Sequence, residues 1–289
     1  MSRIPFHKNP APTLAVHTGG IGDFLLACPA LKALAADGGP LTLAGHADRL
    51  ALAVADGFAE RAVDLDAMGF DSLFAEPSET LRAFLAPFER AVIWMRDDDG
   101  AIARGLAECG VEEAQIFPGL PGADWGGHAA DYYAACLGLP PQPPLRLDIP
   151  PEGPPLDVVI HPGSGSAKKN WPLERFHALA DQLRTAGREV AWVLGPAESG
   201  AAAPAFATVI KEPSLTALAA RLAGARCYAG NDSGVTHLAA AAGCPVAAVF
   251  GPTSERVWAP RGDWTRAVRG EPWPDAEDVL GALRRLADI

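Results

Sequence analysis

The stretch Ala225–Ala242 reads ARCYAGNDSGVTHLAAAA, and its reading decides the fold. Ala225–Ala229 is a short apolar run of strand length. A glycine-flanked polar loop follows, Gly230-Asn231-Asp232-Ser233-Gly234-Val235-Thr236-His237. Leu238–Ala242 is then an Ala-rich helical segment. Strand, glycine loop, helix is the repeating unit of an open parallel sheet. The free N–H groups of the helix's first turn, with the helix dipole, make such a loop a place for phosphate. Asp232 and His237 set titratable groups beside it. Asp232 is also a natural helix cap, and a lone His on a helix is usually structural.

Working outward, the same unit recurs. Thr13–His17 is an apolar run ending in Gly19-Gly20-Ile21-Gly22-Asp23. Phe24, Leu25, Ala27, Cys28, Leu31 and Leu34 follow at helical spacing. Leu41–Ala44, Ala62–Leu65 and Ala91–Met95 read as strands. Asp48–Ala55, Glu79–Phe88, Gly100–Cys109 and Asp131–Leu137 read as helices. A proline-dense stretch between Leu139 and Leu156 fits neither a helix nor a central strand and reads as an interdomain linker. Beyond it the pattern restarts. Asp157–Ile160, Glu189–Leu194, Ala225–Ala229 and Val246–Phe250 are strands. Leu173–Ala186, Ser214–Ala223, Thr236–Ala242 and Asp275–Ile289 are helices. The expectation is α/β: two doubly wound domains, residues 1–150 and 151–289, facing a cleft, with ligands at the carboxyl ends of the strands. The last helix is a candidate to pack back on the N-terminal domain.

Composition narrows the class. At 49% hydrophobic and 20% charged, the 289 residues make a globular chain of two-domain size. The net charge of −11 argues against nucleic acid, which requires a basic face. The five cysteines form no C-x-x-C pair, so reduced thiols in a cytoplasmic setting are expected. The first twelve residues hold no apolar signal core, and no apolar run reaches membrane-spanning length. Arg3 and Lys8 give thin support for peripheral contact with a membrane.

Four constellations carry chemistry. Asp23, at the start of the first helix, is either a cap or a carboxylate poised as a general base, and the two roles are compatible. Gly20 and Gly22 let the backbone approach a ligand. His161–Pro172 (HPGSGSAKKNWP) places Ser164, Ser166, Lys168 and Lys169 in one loop that suits a diphosphate; it is not a Walker A motif, and a solvated basic loop is the competing reading. Pro172 suits the first position of the next helix. Glu198, just past the strand Glu189–Leu194, suits ribose hydroxyls or a helix start. No ligand set for a metal is apparent; the acidic run Asp97-Asp98-Asp99 reads as a solvated loop, and Trp94 and Arg96 beside it as a possible acceptor wall.

Taken as a set and in this order, Gly20–Leu31 (GIGDFLLACPAL), His161–Pro172 and Gly230–His237 resemble glycosyltransferase family 9, whose best-known members are the lipopolysaccharide heptosyltransferases. The resemblance implies the GT-B fold, two Rossmann-like domains with acceptor binding in the first and nucleotide-sugar binding in the second. It implies inverting transfer of a heptose from an ADP-activated donor to a lipopolysaccharide core acceptor, with no metal. By motif, Asp23 would be the base and Lys169 would neutralise the leaving diphosphate. Glu198 would contact the nucleotide and Asp232 the donor sugar. Ser233, Gly234, Val235 and Thr236 would hold the phosphates, with His237 beside them. The family often carries Arg or Lys where this chain has His17-Thr18, which leaves the acceptor open. Another nucleotide sugar, a protein acceptor, or a non-catalytic nucleotide-sugar-binding protein are the alternatives.

Overall fold

The computed structural model describes residues 11–36, 39–195 and 202–289. The chain divides between Pro143 and Pro144 into two compact units. The first holds β1 (Thr13–His17), α1 (Ile21–Ala36), β2 (Leu41–Gly45), α2 (Ala47–Ala55), β3 (Arg61–Asp64), α3 (Glu79–Leu85), β4 (Arg90–Trp94), α4 (Ala101–Glu108), β5 (Glu113–Phe117) and α5 (Ala129–Cys136). Its strands are all parallel, in the order β3-β2-β1-β4-β5. β1, β2 and most of β4 are buried on both faces, which is why they read as continuous apolar runs. Leu14, Val16, Ala91 and Ile93 send their side chains to one face, into a core with Phe84, Leu85 and Ile102. His17 and Trp94 point to the other face, against Phe24 of α1 and Tyr133 of α5.

The second unit holds β6 (Leu156–His161), α6 (Leu173–Thr185), β7 (Val190–Val193), β8 (Thr208–Ile210), α7 (Leu215–Ala223), β9 (Ala225–Asn231), α8 (Gly234–Ala241), β10 (Val246–Phe250), α9 (Glu255–Trp258), β11 (Thr265–Arg269) and α10 (Ala276–Leu286). The sheet is again parallel, ordered β11-β10-β9-β6-β7-β8. Val158, Ile160, Trp171, Phe176, Trp192 and Val249 form its core. α10 starts with a capping box between Asp275 and Asp278 and packs on this same unit, with Val279, Leu280, Ala282 and Leu283 in that core. No helix among the described residues is long and apolar enough to cross a membrane.

Strand order reverses between β1 and β4 in one sheet and between β6 and β9 in the other. At such a switch point the loops leaving the two strands diverge and leave a crevice. The loops after β1, β4, β6 and β9 therefore matter most.

The structure corrects several sequence expectations. β5, β8 and β11 are additional strands at sheet edges; they are largely half-buried or exposed, so they carry no continuous apolar run. Pro172 is the N-cap of α6, not its first helical residue. The proline-rich stretch is strapped to the second unit over its later part. Leu147 N–H donates to the Ala241 carbonyl at 2.8 Å, Glu152 N–H to Ala220 at 3.1 Å, and the Arg146 guanidinium lies 3.5 Å from the centre of the Trp264 ring. Prolines lack N–H donors, but their neighbours' carbonyls remain useful: Arg221 donates to those of Glu152 and Pro154.

Candidate functional site

In the second unit, α8 begins at Gly234 because Ser233 caps it. The Ser233 hydroxyl accepts the Thr236 N–H at 3.3 Å. The cap is thus Ser233, not Asp232, and the helix starts two residues before Thr236. The Thr236 hydroxyl lies 3.1 Å from both the Ser233 and Tyr228 hydroxyls and donates to the Asn231 carbonyl at 2.5 Å. With Thr236 N–H taken, the Gly234 and Val235 N–H groups have no acceptor among the described residues, and both residues are half-buried. His237, one turn in, is buried.

Freed from capping, the Asp232 carboxylate faces the loop after β6. Its Oδ2 accepts from Lys169 Nζ at 2.9 Å and from Thr253 Oγ1 at 2.8 Å. Asp232 is 6% exposed and Lys169 36%, so the ammonium keeps one side to solvent. Asn231 ties the same loops together. Fully buried, it accepts the Trp171 N–H at 2.8 Å and donates to the Pro162 carbonyl at 2.7 Å. Within the loop after β6, Ser164 Oγ sits 2.6 Å from Asn170 Oδ1 and accepts the Ser166 N–H at 3.3 Å. Lys168 and Lys169 share a short 3-10 turn, with Lys168 exposed. Sequence reading had assigned no role to Asn231 or Thr253; each lies at a strand's carboxyl end, and only the fold brings them to Trp171 and Asp232. Glu198 lies outside the described residues.

In the first unit, Gly20 caps α1 and Asp23 lies in its first turn. The Asp23 Oδ2 accepts the Gly20 N–H at 2.9 Å, so the carboxylate reaches back over the cap position without itself being the cap. Of the neighbouring glycines, Gly19 is the one whose lack of a side chain is demanded: a Cβ there would lie 2.7 Å from His17 Cε1. Gly20 is exposed and Gly22 half-buried in the first helical turn. Beneath this turn His17 is buried, and neither ring nitrogen has a hydrogen-bond partner among the described residues. Burial first, then the charges of Arg49 and His46, lowers its pKa to about 4, so the imidazole is neutral. Tyr133 is pushed well above the usual phenol range, first by burial and next by the charge of Asp23, and donates to the Gly119 carbonyl at 2.9 Å.

The acidic run after β4 is not merely solvated. Asp97 accepts the Ile102 and Ala103 N–H groups at 2.9 and 3.0 Å, and Asp99 accepts that of Ala101 at 3.1 Å, so two of the three carboxylates serve the start of α4.

Residues 152–280 match the model of glycosyltransferase family 9 (heptosyltransferase). Lipopolysaccharide heptosyltransferase 3 of Escherichia coli is 30% identical over 136 residues, covering 42% of this chain and 40% of that protein. Lipopolysaccharide heptosyltransferase 1 of Pseudomonas aeruginosa is 31% identical over 148 residues, 45% of this chain and 41% of that one. The matched stretch thus spans well under half the length of these curated relatives. Among solved structures, a family 9 glycosyltransferase from Veillonella parvula superposes with a TM-score of 0.80 at 17% identity, over 96% of this chain and 98% of that one. The E. coli ADP-heptose lipopolysaccharide heptosyltransferase II gives 0.78 at 18% identity, over 95% and 98%. These likenesses establish the GT-B fold: two Rossmann-like parallel-sheet domains.

Proposed function

We propose that this chain, a heptosyltransferase-like member of glycosyltransferase family 9, is an inverting glycosyltransferase that moves a heptose-type sugar from an ADP-activated donor to a cell-envelope glycan of the lipopolysaccharide core. One observation carries the reading. At the β6/β9 switch point, the Gly234 and Val235 N–H groups at a helix start have no acceptor among the described residues, and the lysine paired with Asp232 in the preceding loop stays partly exposed. That combination suits a diphosphate. The relatives' names supply the nucleotide and sugar, and the work falls in the cytoplasm with at most peripheral membrane contact.

The chemistry is a single displacement. Asp23 takes the proton of an acceptor hydroxyl. The resulting oxygen attacks the anomeric carbon from the face opposite the diphosphate, and the bond from that carbon to the phosphate oxygen breaks. Charge leaves with the ADP. Lys169, released from Asp232, and the Gly234 and Val235 N–H groups stabilise it. Asp232, relieved of the lysine, then accepts hydroxyls of the donor sugar. Ser164, Ser166 and Lys168 lie in the loop that carries Lys169, and Glu198 is assigned to the nucleotide. Fixed donors of this kind stabilise the leaving group without a metal, so none is assigned.

The test is thermal unfolding with ADP, UDP and GDP in metal-free buffer, on wild type and on Lys169→Ala. ADP at a hundredfold excess over Kd stabilises the folded state by about 2.7 kcal/mol, and the expected response falls strongly in the variant. Equal stabilisation of wild type and variant removes Lys169 from the site. Preference for UDP or GDP overturns the ADP-linked donor.

A further inference from the structure

Three loops of the second unit converge on one carboxylate oxygen. Asp232 leaves β9, Lys169 stands in the loop after β6, and Thr253 stands in the loop after β10; β6 and β10 flank β9 in the sheet. Asp232 Oδ2 accepts from Lys169 Nζ at 2.9 Å and from Thr253 Oγ1 at 2.8 Å. Its Oδ1 has no hydrogen bond among the described residues, although the side chain is only 6% exposed. One oxygen thus carries two donors and the other none.

The two donors are held unequally. Lys169 is partly exposed, on a short 3-10 turn, and its ammonium ends a flexible stem. Thr253 is held from behind. Asp232 N–H donates to the Val249 carbonyl at 3.0 Å, so β10 anchors the backbone of the carboxylate it also serves. Gly251 lies so close to the Trp273 ring that a Cβ would collide with it, which fixes the course of the chain into Pro252 and Thr253. Proline restricts its own φ, and a β-branched side chain has few rotamers. A threonine hydroxyl has a single proton to give, and here it goes to Asp232.

Resting on the functional reading above, we propose that Thr253 is a positioning residue of the donor site: it keeps its bond to Asp232 Oδ2 when Lys169 turns to the diphosphate, and so holds Oδ1 towards the donor sugar. Taking one partner from a buried ion pair is costly unless another donor remains. A hydrogen bond to a carboxylate is charge-assisted, and it strengthens as the ammonium leaves. The ion pair can then open for a diphosphate and close after it. Without the hydroxyl, a diphosphate that recruits Lys169 must leave Asp232 bare.

Ligand-observed NMR titration reads this, with ADP and with inorganic pyrophosphate as the diphosphate alone. The samples are wild type, Thr253→Val, Thr253→Ser, Lys169→Ala and the Thr253→Val, Lys169→Ala double variant. Thr253→Val should weaken both ligands about tenfold, because the lost bond matters most once the lysine has left. Thr253→Ser keeps the hydroxyl and should return affinity to within about threefold of wild type. In Lys169→Ala no ion pair opens, so adding Thr253→Val should cost less than about threefold, the non-additivity expected of one network. Equal weakening in both backgrounds overturns the proposal, since a distorted loop acts whether or not Lys169 is present. So does unchanged affinity in Thr253→Val, which would mean that the lysine serves phosphate and carboxylate together. If Lys169→Ala binds neither ligand, Thr253→Ser decides: restored affinity supports the proposal and unrestored affinity overturns it. ADP binding indifferent to Thr253 keeps the donor reading and loses this inference. Pyrophosphate binding with the expected dependences, but no ADP binding, keeps this inference and loses the ADP-linked donor. A wild type that binds neither ligand loses both.

Discussion

The two switch points of the molecule are built to opposite specifications. At β6/β9 the polar side chains are sunk: Asn231 is 0% exposed, Thr236 1% and Asp232 6%. Each is held by hydrogen bonds to a neighbouring loop or turn. At β1/β4 the turn is open: Gly20 is exposed, Asp23 is half-buried, and its carboxylate accepts the backbone N–H of Gly20. A site that must stabilise a fixed charge gains from donors that need not reorganise. A carboxylate that must take up and release a proton needs access instead. On the proposed function, one topology would serve both tasks, with only the loop chemistry differing.

The comparison breaks most sharply at Asp23. Asp23→Asn keeps an acceptor for the Gly20 N–H, so the turn should survive while kcat falls by about 10²–10⁴-fold. Unchanged turnover in a donor-consumption assay would remove the base and leave the open turn as a mere helix start.

His17 offers the next largest effect, this time on stability. Its imidazole titrates near 6.5 when unfolded and at about 4 when folded. Between those values the unfolded chain binds a proton that the folded one refuses, so stability is lost as pH falls from about 6.5 towards 4. The loss approaches roughly 3 kcal/mol. Denaturant unfolding at pH 7 and pH 4.5 measures it, and His17→Phe should flatten this part of the slope. An unaltered slope would mean that His17 is not what makes the open turn acid-sensitive.

On the sunken side, Asn231→Ala strips Trp171 N–H and the Pro162 carbonyl of their partner in a water-excluded place. A cost of roughly 2–3 kcal/mol is expected by chemical denaturation, with nucleotide affinity falling alongside. Loss of stability without loss of affinity would separate the scaffold from the site. Ser233→Ala is the mildest change: losing the α8 cap should cost about 1 kcal/mol, because Thr236 N–H loses its acceptor. A Tm as high as wild type's would show that the cap is redundant.

The same contrast explains what was legible in the chain. β1, β2, β4, β6, β9 and β10 are central strands, sealed on both faces, so their apolar runs announce them. β5, β8 and β11 lie at edges where half the residues meet water, and Glu113, Thr208 or Arg269 break any pattern. The glycine loops were readable because spacing alone marks a turn before a helix. The partners were not. Asp232 looks like a cap in isolation, and its real contacts, Lys169 and Thr253, lie 63 and 21 residues away in sequence. Nothing local in the acidic run distinguishes Asp97, which binds backbone N–H groups five and six residues on, from Asp98, which does not.

Each sheet draws its strands from one uninterrupted length of chain, residues 13–117 for the first and 156–269 for the second. The order of synthesis therefore matches the order of assembly. β1, β2 and β3 extend one side of the first sheet as they leave the ribosome, and β4 and β5 then complete the other, before any residue of the second sheet exists. In the second, β6, β7 and β8 must wait for β9, the strand that carries Asn231 and opens onto Asp232, to seal the middle. A ribosome paused before β9 would hold a finished first sheet and half of the second, with the face of β6 that β9 later pairs still open to misassociation. The β6 edge thus stays unpaired while residues 211–224, between β8 and β9, are added, as the β1 edge does until β4 arrives.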